Sequence, residues 1–143
     1  MNEQSADGPR RIAPVPDETS EPFWRGGADG ELRIQRCNDC GCFLHPPGRR
    51  CADCGGRAFT FSAVAGTGQV YSFAVNHQQW HPAYPTPYVI ASVELPEQAG
   101  LRIVTNLVDC ELDAVHIGLA VRVVFERLGE WHIPLFTPQG ASS

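Results

Sequence analysis

Apolar positions along this chain recur mainly with a period of two. Residues 69–75 read QVYSFAV, 88–95 YVIASVEL, 101–110 LRIVTNLVDC, 119–128 LAVRVVFERL and 131–136 WHIPLF. Each run is short and rich in β-branched or aromatic residues. Turn-forming residues bound them: Gly66-Thr67-Gly68 before the first, PEQAG (96–100) and Gly129-Glu130 between later ones. Alternation of this kind puts successive side chains on opposite faces of a strand. Several short strands separated by turn signals predict a small all-β barrel or sandwich. Residues 111–118 (ELDAVHIG) read as a connecting loop or a single helical turn.

Upstream the pattern is sparser. Leu32 and Ile34 alternate with Arg33 and Gln35, which predicts a strand running into the first cysteine. Ser20 is a candidate helix cap, Pro22 suits a first helical turn, and Gly26 and Gly27 keep any helix there short. Residues 1–20 are rich in Pro, Asp, Glu and Ser without a periodic apolar face, so a disordered tail is expected. The predicted organisation is a tail at 1–20, a helical segment and cysteine module at 21–62, a barrel at 63–138 and a short tail at 139–143. No internal repeat is evident, and no low-complexity tract beyond the tail.

Residues 36–56, RCNDCGCFLHPPGRRCADCGG, hold five of the six cysteines. Two C-x-x-C pairs, Cys37/Cys40 and Cys51/Cys54, point to a metal. One tight C-x-x-C turn presents two thiolates together, and two such turns complete a tetrahedral shell for zinc. Gly41 and Gly55 follow the pairs and allow a left-handed backbone there, leaving backbone N–H groups to point at sulfur. Four thiolates leave a zinc ion with a net charge of about −2, which Arg36, Arg49, Arg50 and Arg57 can offset. A rubredoxin-like iron centre uses the same ligand set. A thiol–disulfide pair needs only one of the two motifs and has no βαβ context here. Cys42 falls outside the paired rhythm and is expected to be a free thiol. A site with four protein ligands has no open position, so its work is folding rather than activation of water.

Charge and composition narrow the partners. Net charge is −5, and all eleven basic residues are Arg. An acidic chain is a poor binder of nucleic acid, where phosphate neutralisation supplies most non-specific affinity. No apolar run approaches the roughly 20 residues that span a bilayer, and the first residues have no apolar core of a secretory signal. A cytoplasmic location without membrane association is the resulting expectation, and reduced thiols there favour metal over disulfides. Catalytic sets are missing. Cys110 ends an apolar run and reads as a small buried hydrophobe rather than a nucleophile. His77 and His81 have no neighbouring carboxylate to build a second metal site. Gly66-x-Gly68 precedes a strand rather than a helix, so it is not a phosphate loop. The loop 76–87 carries Trp80, Tyr84 and three prolines beside Tyr88, a composition suited to a binding surface or to capping one barrel end.

Taken in order, PFWRGGADGELRIQRCNDCG, RRCADCGG, GTGQVYSFAV, PYVIASVEL, LRIVTNLVDC, VHIGLAVRVVFE and IPLFTP make the chain resemble a known family over about residues 22–138. It is the zinc-ribbon/OB-fold family catalogued as domain of unknown function thirty-five. The resemblance implies a mainly β fold: a short helical segment and an N-terminal rubredoxin-like zinc ribbon, then a five-stranded OB-fold barrel. It implies one structural zinc on Cys37, Cys40, Cys51 and Cys54. It also implies an accessory subunit of a thiolase-fold enzyme, such as an acyl-CoA thiolase, ketoacyl transferase or steroid side-chain aldolase, with the catalysis carried by the partner. Under that resemblance Phe23 and Trp24 mark a helix that packs on the partner or on the barrel, and the aromatics Trp80 and Tyr84 join them as partner-binding candidates. Arg49 and Arg50 are candidate contacts to acyl-CoA, and a two-plus-two hetero-oligomer is the expected assembly. The chain is short, carries no fused hydratase domain and is expected to act as a separate subunit with no activity alone. The alternative is a single-stranded nucleic-acid-binding OB-fold module, which would stack bases on Tyr71, Phe73 and Trp80.

Overall fold

The structure is a computed structural model that describes residues 14–78 and 86–139. Two sheets organise it. The first is a three-stranded antiparallel ribbon of β1 (Leu32–Cys37), β2 (Phe43–Leu44) and β3 (Phe59–Val64), with β1 in the middle. The second is a closed barrel of β4 (Thr67–Asn76), β5 (Tyr88–Glu94), β6 (Arg102–Leu107), β7 (Ala120–Leu128) and β8 (Trp131–Pro138). Neighbours around the barrel run β4-β5-β6-β8-β7 and back to β4. Only β6 against β8 is parallel, through Leu107 and Phe136. Of the barrel or sandwich that the period-two pattern predicts, the structure is a barrel, with the five strands that the family resemblance implies. Among the described residues no helix is long and apolar enough to cross a membrane.

The inward set follows the alternation. Val89, Ala91 and Val93 of β5 and Ile103, Thr105 and Leu107 of β6 are buried, whereas Ile90 and Val104 face out. The apolar ones among them join Val70, Val121 and Phe136 in one core. Closure depends on the Gly66-Thr67-Gly68 turn. A Cβ on Gly68 would sit 2.5 Å from the Glu94 carbonyl oxygen, and Gly66 has φ +80° with its carbonyl accepting from the Val123 N–H at 2.7 Å. The glycines let β4 cross from β7 to β5 without a clash.

A short helix, α1 (Glu21–Arg25), and a 3-10 turn (Gly26–Asp29) lie against the β7–β8 hairpin. Ser20 does occupy the N-cap position, but its side chain does not cap α1. It pairs instead with Asp17: the Ser20 N–H donates to Asp17 Oδ1 at 2.9 Å and the Asp17 N–H donates to Ser20 Oγ at 3.2 Å. This reciprocal capping turn lies inside the stretch 1–20 expected to be tail. Gly26 and Gly27 do more than shorten the helix. A Cβ on Gly27 would collide with His132 Cβ and the Phe125 ring, so the turn packs too closely on β7 and β8 for a side chain. Trp24 packs on the barrel core and on a second apolar cluster of Leu128, Ile133 and Leu135. Arg25 stacks over Trp131 at 4.5 Å and pairs with Glu130 at 3.3 Å.

Two glutamines hold ribbon and barrel in place. Gln35 is 2% exposed in the middle strand of the ribbon. Its amide donates to the Gly48 carbonyl at 2.7 Å and accepts from the Gly48 N–H at 2.8 Å, which pins the loop between the cysteine pairs. Gln98, in the β5–β6 turn, makes the same two-way contact with the Phe43 backbone, at 2.9 and 3.1 Å. Gln98 thus stands in for a strand at the free edge of β2 and joins the ribbon to the barrel.

Candidate metal centre

The cysteine module is built twice from one local rule. Residues 36–41 read RCNDCG and residues 50–55 read RCADCG. This near-identical hexapeptide is an internal repeat, contrary to the expectation of none. Its two copies share their hydrogen bonds. The Cys37 N–H donates to the Cys42 carbonyl and the Cys51 N–H to the Gly56 carbonyl, both at 2.8 Å. The Gly41 N–H donates to the Cys37 carbonyl at 2.9 Å and the Gly55 N–H to the Cys51 carbonyl at 2.8 Å. Gly41 and Gly55 have φ of +82° and +78°, as their left-handed role requires. Their N–H groups do not point at sulfur, because closing each turn uses them. A sulfur-directed N–H comes instead from Gly56, 3.3 Å from Cys54 Sγ.

The two turns bring Cys37, Cys40, Cys51 and Cys54 together, with all four sulfurs within 4.8 Å of one another. Cys37 Sγ to Cys54 Sγ is 3.6 Å, as is Cys40 Sγ to Cys51 Sγ. Four sulfurs each about 2.3 Å from one zinc ion stand about 3.8 Å apart, so the cluster is sized for a tetrahedral metal. These separations are far beyond a disulfide bond of about 2.05 Å. The thiols need a cation to ionise together. The backbone N–H of Cys40 draws Cys37 down to about 7. Cys54 is pulled down by the Gly56 N–H but pushed up further, to about 12, by its thiol neighbours and burial. A divalent ion at the centre would hold all four as thiolates and cross-link two loops that have little apolar core of their own. Cys37 and Cys51 are buried, and Cys40 and Cys54 face solvent.

Gly56 is a functional position that the spacing rule misses. A Cβ there would lie 2.6 Å from Asp39 Oδ2 and 3.2 Å from the sulfurs of Cys37 and Cys54. The signal was present as the second glycine of the Gly55-Gly56 pair. The arginines divide. Arg36 donates through Nε to the Gly41 carbonyl at 2.8 Å and stacks on Phe43, while the Arg50 guanidinium lies beside Gly55. Both therefore sit over the thiolate turns. Arg49 points away, with 73% of its side chain exposed and Asp17 at 3.9 Å. Cys42 forms no disulfide, but its thiol donates to Asp53 Oδ2 at 2.7 Å and so links the two turns; this carboxylate pushes its pKa up to about 12.

Other candidates fall elsewhere. Phe23 is 5% exposed and belongs to the core, and Trp24 is half-buried beside it. Trp80, Tyr84 and His81 lie outside the described residues. Cys110 does not end a strand, because β6 stops at Leu107; it sits in the following loop, partly buried against the core, with its thiol 3.4 Å from the Glu111 carbonyl. Tyr71 is exposed, and the Arg102 guanidinium covers one face of its ring at 3.6 Å.

Comparison with known proteins agrees with this geometry. Residues 24–60 match the model described as ChsH2, rubredoxin-like zinc ribbon domain, and residues 62–126 match ChsH2, C-terminal OB-fold domain. A protein named "Probable enoyl-CoA hydratase alpha subunit" from Thermomonospora curvata is 42% identical over 95% of this chain, which spans 43% of that protein's length. A "DUF35 domain-containing scaffold protein" from Methanocaldococcus jannaschii is 37% identical, with 66% of this chain and 67% of that protein aligned. Among solved structures, a chain of "Ltp2-ChsH2(DUF35) aldolase" superposes with a TM-score of 0.79 at 39% identity, covering 88% of this chain and 98% of that one. The paired cysteine turns, the five-stranded closure and these matches place the chain in the DUF35 family, as a rubredoxin-like zinc ribbon carrying one structural zinc joined to an OB-fold barrel.

Proposed function

We propose that this chain is a non-catalytic accessory subunit of a thiolase-fold enzyme that acts on acyl-CoA: a thiolase, a ketoacyl transferase or a side-chain retro-aldolase. The observation that carries the reading is the closed metal centre. Its four protein ligands fill a tetrahedron, so the ion has no position for substrate or water, and its chemistry is a cross-link. No nucleophile–base pair is assembled among the described residues either. A small fold whose described residues assemble only a structural centre is suited to act through what it binds. Its likeness to a chain of an Ltp2–ChsH2 aldolase, and to a scaffold protein, supports a partner enzyme as that target.

In this reading the aromatic loop residues Trp80 and Tyr84, with the exposed edge of Trp24, form the contact to the partner. Phe23 contributes by seating α1 on the barrel. Arg50, and the outward-pointing Arg49, are available to the phosphates of an acyl-CoA. A partner that is itself a dimer would give a two-plus-two assembly. The experiment is co-expression with a thiolase-fold protein encoded beside this chain, followed by size-exclusion chromatography and acyl-CoA turnover. Co-elution with activity confined to the complex supports the proposal. Turnover by this chain alone overturns it.

A further inference from the structure

We propose that the outer edge of β3 is a docking surface for a second copy of this chain, the two β3 strands pairing antiparallel about a two-fold axis through Phe61. β3 is an outer strand of the ribbon and pairs with β1 alone. The opposite outer strand, β2, has its free edge closed at Phe43 by Gln98. Among the described residues no such group closes the edge of β3 along its length. The surface uses none of the metal ligands, and the proposal is independent of the accessory-subunit reading.

The ladder fixes which groups are open. Hydrogen-bonded and non-hydrogen-bonded positions alternate along an antiparallel pair. The Asn38 N–H donates to the Ala58 carbonyl at 2.8 Å, so residues 38 and 58 meet at a hydrogen-bonded position. Followed along the register, Thr60, Ser62 and Val64 turn their backbone groups to β1. Phe59, Phe61 and Ala63 therefore turn their N–H and C=O groups outward, where they meet no backbone partner among the described residues. An extended backbone is the ligand that matches such a row of alternating donors and acceptors. Thr60 and Ala63 are exposed, and FTFSAV (59–64) has neither a charge nor a proline to turn an added strand away.

The sequence along the edge selects a second copy. With Phe61 on the axis, Phe61 lies opposite its own counterpart, Phe59 opposite Ala63 of the second copy, and Thr60 opposite Ser62 of the second copy. All three outward residues then exchange N–H···O bonds. The Phe59 ring faces a small residue, hydroxyl faces hydroxyl, and no like charges meet, as a self-complementary interface requires. The ends add charge complementarity. The same register sets Arg57 opposite Ala65 of the second copy, and the Ala65 N–H is bonded to Glu97 Oε2 at 2.8 Å. Arg57 and Glu97 are both exposed, and Arg57 has no ion pair among the described residues. A pair of Arg57–Glu97 contacts, related by the axis, thus flanks the seam. By holding the Ala65 N–H, Glu97 also ends the seam there.

Sedimentation velocity on the full zinc-loaded chain alone, from micromolar to millimolar concentration, should show a reversible monomer–dimer equilibrium. Ala63→Pro removes an outward N–H without touching a bond to β1, and should leave a monomer with its zinc in place. Arg57→Glu sets like charges against each other at both ends of the seam and should weaken association about tenfold. Combining it with Glu97→Arg should restore the dimer. In a sample mixed from 13C-labelled and unlabelled chains, the Hα of Thr60 should show a contact to the Hα of Ser62 across the seam, because these residues meet at a non-hydrogen-bonded position. A chain that stays monomeric at millimolar concentration, a dimer indifferent to Ala63→Pro, or a charge swap that restores nothing would overturn the proposal. So would protection of the β3 edge that arises only in a complex with a different protein. If Ala63→Pro fails to fold, the charge swap at two exposed positions still decides.

Discussion

His45 and Gly56 show how much single side chains decide here, and neither is a metal ligand. Burial lowers the His45 pKa to about 4 from 6.5. Between these values the unfolded chain binds a proton that the folded chain does not. The stability from keeping His45 neutral is complete above about pH 6.5 and is lost as pH falls toward 4. The size is about 3 kcal/mol across that window. Denaturant unfolding of the zinc-loaded chain at pH 6.8 and pH 5 should show the loss, and His45→Phe should remove it. The comparison with the variant isolates His45 from acid release of zinc, which affects both proteins. An unchanged slope in the variant would mean that His45 is not buried as described. Gly56 has no room for a Cβ between Asp39 Oδ2 and the sulfurs of Cys37 and Cys54. Gly56→Ala should weaken zinc affinity by about 10–100-fold, the usual effect of disturbing a metal's supporting groups. A chelator competition measures this directly.

Two elements, the metal ribbon and its joint to the barrel, carry the fold. Cys40→Ser removes one ligand, and elemental analysis should then find zinc well below one equivalent, with the ribbon unfolded. Gln98 is the joint. Gln98→Ala leaves the Phe43 N–H and carbonyl without their barrel partners. Stability should fall by about 1–3 kcal/mol. Hydrogen exchange at the Phe43 amide should speed up more than at the amides of β5. The ligand cysteines and most barrel strands were legible in the sequence because each follows a strong rule, C-x-x-C spacing or period-two alternation. β2 is too short for any period to register, with Phe43 and Leu44 alone. β3 is half-exposed along its length, with Phe59, Phe61 and Ser62 partly buried and Thr60 and Ala63 exposed. Its register is set by β1 rather than by an apolar face. Gln35 and Gln98 escape sequence reading for another reason. A polar side chain reveals itself as structural only when the backbone it serves, here Gly48 and Phe43, is seen beside it. The RCNDCG and RCADCG repeat was in plain view and gained meaning from the matched hydrogen bonds of its two copies.

For the whole molecule, the proposed accessory role requires an exposed surface that matches a partner. Nucleic acid is a poor fit. Net charge is −5, and the exposed Tyr71 ring already has Arg102 over one face. Binding to single-stranded DNA or RNA at physiological salt should be weaker than micromolar, as fluorescence anisotropy would show. A tighter, salt-sensitive complex would favour a nucleic-acid module instead. Protein association is the better fit for a fold whose metal is sealed by its own ligands. The most direct test of that account is to purify this chain and a thiolase-fold neighbour separately and together, and to measure acyl-CoA turnover for each sample at matched concentration. Activity that appears only in the co-eluting complex, with one zinc per copy of this chain, is the expected result. Turnover by this chain alone, or a partner equally active and stable without it, would contradict the account.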